Sequence, residues 1–109
     1  MLQLTLIRHA KSSWENPALS DFDRPLNKRG RKNAPLMGKV IRKLGLVFEQ
    51  IVSSPALRAI TTARLIAEKL GFPEQDIEQR ADLYGASLDA LLDCVSSLDN
   101  RYSKIAMVA

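Results

Sequence analysis

With 109 residues, 46% of them hydrophobic and 26% charged, the chain has room for one globular domain spanning residues 1–109 and no more. Its formal net charge of +4 favours acidic partners, namely phosphorylated ligands, acidic proteins or nucleic acid, and also suits simple surface solubility. One cysteine, Cys94, excludes an intrachain disulfide, no His/Cys cluster has zinc spacing, and neither a signal peptide nor a ~20-residue apolar span is present. These features lead to the expectation of a cytoplasmic protein with no membrane partner, no metal and no cofactor.

Leu2 to Ile7 is an aliphatic-rich run that predicts a buried strand ending at Arg8-His9. Lys11 to Pro25 is polar, carries two prolines and predicts a long loop; in a small domain such a loop is usually functional. Asn27 is placed to cap a helix running to about Leu44, closed by Gly45, with Met37, Val40, Ile41 and Leu44 as its apolar stripe. Phe48 to Ser53 predicts a second strand. Ser54-Pro55 then opens another helix, serine at the N-cap and proline at the first helical position, lined by Ala59, Ala63, Ile66, Ala67 and Leu70 and ended by Gly71. Ile77 to Gln79 predicts a short third strand. Ser87 caps a helix with Leu88, Leu91, Leu92, Val95 and Leu98 as its stripe, and Lys104 to Ala109 predicts a fourth strand. The sequence stops inside that aliphatic run with no turn after it, from which a C-terminally truncated domain is expected.

Strands alternating with helices imply an α/β fold with a mostly parallel sheet covered on both faces. Ligands in such sheets bind beyond the carboxyl ends of the strands, where Arg8-His9 and Ser53-Ser54 both fall. A histidine at a strand end can present a ring nitrogen to a phosphate, and neutral imidazole is a competent nucleophile near pH 7. The adjacent Arg8 offers a planar fork that matches phosphate oxygens. Arg58, in the first turn of the Ser54-Pro55 helix, opposes the helix dipole, a placement that makes sense if it serves an anion. Taken singly, each of these residues also has a plain reading as a structural or solvent-exposed side chain.

The run Lys28-Arg29-Gly30-Arg31-Lys32 is the densest positive cluster and reads as a solvated helix face. It lacks interleaved aromatics, which counts against a nucleic-acid partner. Cys94 reads as a small packing residue, and Trp14 and Tyr84 as loop or rim residues.

Four stretches, taken together, resemble the histidine phosphatase superfamily, also called phosphoglycerate mutase-like, and within it the SixA-type phosphohistidine phosphatases. They are Leu6-Ile7-Arg8-His9-Ala10-Lys11-Ser12-Ser13-Trp14, Asp23-Arg24-Pro25-Leu26-Asn27-Lys28-Arg29-Gly30, Ser53-Ser54-Pro55-Ala56-Leu57-Arg58-Ala59 with Thr62-Ala63 after it, and Asp82-Leu83-Tyr84. Alanine after His9, together with Asp-Arg-Pro-Leu, leans toward the SixA type. The resemblance implies a three-layer α/β/α fold. It also implies that His9 is the nucleophile that becomes phosphorylated, that Arg8 and Arg58 bind the phosphate, and that the Ser12 hydroxyl lies near it.

The family also carries a second histidine in a Gly-His motif after the strand that begins near Lys104, a motif this sequence does not reach, so residues 1–109 by themselves are expected to be catalytically impaired. The implied chemistry is in-line attack by His9, a phosphohistidine intermediate and hydrolysis by water, with the arginines neutralising the phosphoryl oxygens and no metal needed. An imidazole leaving group departs neutral, whereas an alcohol needs a general acid, and none of the candidates Asp21, Asp23 and Asp82 clearly fits that role. That favours phosphohistidine on a protein as substrate. Alternatives are a small phosphorylated metabolite, or a phosphate-binding or phosphoprotein-binding module without turnover.

Overall fold

A computed structural model describes residues 2–109. Its four strands are β1 (Gln3–Ile7), β2 (Gln50–Ser53), β3 (Glu78–Gln79) and β4 (Lys104–Val108); its helices are α1 (Lys28–Lys43), α2 (Leu57–Leu70) and α3 (Leu88–Ser96). The sheet order is β1-β4-β2-β3 and every pairing is parallel. The α/β expectation therefore holds, with α2 on one face of the sheet and α3 on the other.

The alternation of β4 explains this layering. Ile105 and Met107 point to one face and pack with Val52, Leu83 and Cys94; Ala106 and Val108 point to the other and pack with Ile51, Ala59, Ala63 and Ala67. Both faces of β4 are covered, so it reads as an uninterrupted apolar run. Burying a side chain such as Ile105 or Met107 contributes roughly 1.5–3 kcal/mol. Cys94 is a fully buried packing residue, as its place beside an apolar stripe suggests.

Three expectations need correction. First, β1 is not buried: among the described residues it pairs with β4 alone, and Leu6 is 62% exposed. Second, α1 does not bury its large aliphatics. Gly30, Ala34, Gly38 and Ile41 form its inner face, while Met37, Val40 and Leu44 are exposed. The reason is proximity: α1 packs on α2, and a Cβ at Gly38 would come 2.9 Å from the Lys69 Cβ and 3.2 Å from the Ile66 backbone. Small residues win where two helices approach this closely. Third, α2 begins two residues later than Ser54-Pro55 implies. Ala56 is its N-cap, and the Ser54 hydroxyl accepts from the Ala56 N–H in a turn before the helix.

Asn27 caps α1 as expected, its Oδ1 accepting from the Gly30 N–H at 2.8 Å. Ser87 caps α3 in the same way, although Leu88 and Leu92 face solvent. Among the described residues, no helix is long and apolar enough to cross a membrane.

Candidate active site

The first strand delivers Arg8 and His9 to the carboxyl edge of the sheet, and backbone bonds fix them there. The His9 N–H donates to the Ala109 carbonyl and the Ala109 N–H to the Ile7 carbonyl, both at 3.0 Å. Thr62 then ties this segment to α2: its hydroxyl accepts from the Ala10 N–H at 3.0 Å and donates to the Arg58 carbonyl at 2.7 Å. Further along, the Lys11 carbonyl accepts from the Asn27 N–H at 2.9 Å, and Ser12 forms a β-bridge with Leu26. The loop after β1 is thus held by β4, α2 and the start of α1 together.

This framework surrounds a cavity of about 490 Å³ lined by Arg8, His9, Ser12, Trp14, Arg24 and Arg58, with Lys11 at its wall. Among the described residues no carboxylate lines it. The structure therefore brings His9, Arg8, Arg58 and Ser12 to one place and gives that place a strongly positive lining.

His9 is half-buried, and its Nδ1 lies 2.8 Å from the Ala10 carbonyl. A carbonyl only accepts, so Nδ1 carries the proton and the lone pair is on Nε2. Arg58 Nε donates to that Nε2 at 3.3 Å. Burial, and then the charges of Arg58, Arg8 and Arg24, hold the imidazole below its ordinary pKa, outweighing the Ala10 bond that acts the other way. The ring is therefore predominantly neutral at neutral pH, with a lone pair on Nε2.

Arg24 is the residue that reading the sequence for chemistry passed over. It is 8% exposed, and its Nη1 donates to the Ser12 hydroxyl at 3.0 Å. The Trp14 ring covers it, 3.4 Å from guanidinium carbon to ring centroid. Ser12 is accordingly a wall residue that also anchors Arg24. The signal available in sequence was an arginine directly before proline, inside a loop long enough to be functional.

Of the three carboxylates near the motifs, Asp21 reaches the arginines from outside the cavity. Asp23 instead takes the Ser20 hydroxyl at 2.9 Å, and Asp82 pairs with Arg80 at 3.0 Å. The Lys28–Lys32 cluster lies on the exposed first turns of α1 and does not line the cavity. Among the described residues no group of three or more His, Cys, Asp or Glu side chains is arranged to hold a metal.

A family model described as histidine phosphatase superfamily (branch 1) matches residues 4–91. The chain belongs to the histidine phosphatase superfamily. Among curated relatives of this histidine phosphatase chain, an uncharacterized chloroplastic protein of Arabidopsis thaliana is 35% identical over 89 residues, which are 80% of this chain and 41% of that protein. The chain thus spans about two fifths of the length of such relatives. Among solved structures, a candidate phosphohistidine phosphatase, SixA, from Agrobacterium tumefaciens superposes with a TM-score of 0.87 at 25% identity, covering 97% of this chain and 67% of that one. A phosphoglycerate mutase from Bacillus anthracis superposes with a TM-score of 0.63 at 27% identity, covering 75% and 36%. The fold is that of the phosphoglycerate mutase-like α/β proteins, as the four sequence stretches implied.

Proposed function

We propose that residues 1–109 belong to a single phosphatase domain that works in the cytoplasm through a phosphohistidine at His9 and removes phosphate from phosphohistidine on a protein. The observation that carries this reading is the His9 ring: its proton is directed to Ala10, and its lone pair faces Arg58 inside a cavity lined by four cationic side chains. In this reading Nε2 of His9 attacks phosphorus in line, and Arg8, Arg24 and Arg58 hold the phosphoryl oxygens while the P–N bond to the substrate imidazole breaks. The leaving imidazole, protonated on its other nitrogen, departs neutral. Water then attacks phosphorus, the bond to His9 breaks, and phosphate is released.

The state of Asp21 supports a phosphoramidate over a phosphate ester. The Tyr84 hydroxyl, then Arg58 and Arg24, hold its carboxyl below the usual carboxylate range, so it is ionised at neutral pH and poorly suited to protonate an alkoxide. Similarity to SixA structures points the same way.

The test is to offer a longer protein that carries residues 1–109 together with the family's second histidine a histidine-phosphorylated protein and p-nitrophenyl phosphate side by side and look for acid-labile, base-stable phosphate on the enzyme. Label on wild type, none on His9→Ala and a preference for the phosphohistidine protein are expected. Equal labelling of His9→Ala would remove His9 from the role, and faster turnover of the ester would transfer the activity to small phosphate esters.

A further inference from the structure

We infer that Asp21 is a positioning residue of this pocket, gripping Arg24 and Arg58 from behind and aiming both guanidiniums at the anion. Asp21 sits in the 3-10 turn Asp21–Asp23, capped by Ser20. Its Oδ2 accepts from Arg58 Nη2 at 3.0 Å and from the Tyr84 hydroxyl at 2.7 Å, and its backbone carbonyl accepts from Arg58 Nη1 at 2.6 Å. Its Oδ1 accepts from Arg24 Nε at 3.3 Å and lies 3.2 Å from Arg24 Nη2. Both arginines line the cavity and Asp21 does not.

The consequence lies in which donors remain. Asp21 occupies the Nη1/Nη2 edge of Arg58 and leaves Nε directed at His9 Nε2. An arriving phosphoryl oxygen takes over that N–H as acceptor, and the His9 lone pair is released toward phosphorus at the moment substrate is seated. Two guanidiniums facing one cavity also repel each other, and an ionised carboxylate between them offsets that repulsion. Tyr84 braces the arrangement: its hydroxyl holds Asp21, and its ring meets Phe22 edge-on at 5.1 Å and 89°. Three segments far apart in sequence, those of Asp21 to Arg24, Arg58 and Tyr84, meet at one carboxylate.

This inference rests on the phosphoryl reading of the pocket, so it is tested with tungstate, an oxyanion that needs no turnover. His9 is the only histidine, so its ring ¹⁵N signals report the pocket without overlap. On the full chain, Asp21→Asn is expected to weaken tungstate binding by about tenfold, the size typical of losing a partner that orients a binding group, and to move the His9 Nε2 resonance. Tyr84→Phe is expected to give a smaller change in the same direction and to add little in the Asp21→Asn background. Asp21→Glu should recover part of the affinity. If Asp21→Asn fails to fold, the Tyr84→Phe comparison decides, with no change in affinity or resonance counting against the inference. Asp21→Asn binding tungstate as tightly as wild type, or more tightly, overturns it, the latter by making Asp21 a competitor of the anion. Absence of tungstate binding by wild type sinks the phosphoryl reading and this inference with it.

Discussion

Gly30→Ala tests whether the start of α1 is locked against the loop that follows β1. In an unconstrained helix the substitution stabilises by about 1 kcal/mol. Here the new Cβ would fall well inside contact distance of the Lys11 carbonyl oxygen, 3.0 Å from Lys11 N and 3.1 Å from its carbonyl carbon. Those atoms have little freedom to retreat. The carbonyl is bound by the Asn27 N–H, Ala10 is bound by Thr62, and Ser12 is bridged to Leu26. Overpacking against fixed structure costs about 1–3 kcal/mol, and a rigid backbone neighbour places this site near the top of that range. The net is a loss of about 2 kcal/mol, which lowers the melting temperature by roughly 10 °C for a domain of this size. Denaturant titration and thermal melting measure it. Asn33→Ala, at an exposed position of the same helix, is the control and should stabilise by about 0.5 kcal/mol through propensity alone. Because Lys11 lies two residues beyond His9, Gly30→Ala should also weaken tungstate binding. A Gly30→Ala protein as stable as Asn33→Ala would show that the contact between α1 and the loop is loose and that the reasoning fails.

Asn27→Ala removes the cap on the same helix and should cost about 1 kcal/mol, with Asn27→Asp close to wild type; a neutral alanine variant would show that the α1 N-terminus needs no side-chain cap. The His9 imidazole, followed by NMR through a pH titration, should titrate below 6.5 because burial and three arginines disfavour its charged form. The unfolded chain then takes up this proton at higher pH than the folded one. His9 therefore subtracts stability as pH falls below about 6.5 toward the folded pKa and has no such effect above it. A midpoint at or above 6.5 would mean that a carboxylate or solvent reaches the ring.

Elements whose local chemistry agrees with their tertiary setting could be read from sequence alone. Asn27 and Ser87 cap helices, Gly71 ends one with a φ of 70°, and the aliphatic run of β4 is buried on both faces. The α1 stripe misled because periodicity marks every apolar residue on a flank and does not tell which part of the flank meets a neighbour. Gly38 against Ile66 set that choice, and glycine carries no hydropathy signal. His9, Arg8 and Arg58 were legible because they follow strand ends or open a helix. Arg24 and Asp21 were not, since they lie in a polar loop whose path depends on α1, α2 and Tyr84 all being in place. An ion pair assembled from three distant segments leaves no spacing to recognise.

The strand order carries a consequence for the order of events in folding. β1 and β2 bear the two halves of the pocket, yet they never touch: β4, formed by residues 104–108, lies between them and pairs with both. A nascent chain can form α1 and α2 early, because those contacts are comparatively local. His9 and Arg58 stay unconnected until residues nearly a hundred positions downstream of β1 slot into the gap. Closing so long a loop is slow relative to helix pairing. The cavity therefore cannot form before β4 has been made, and until β4 is in place the cationic side chains share no common lining.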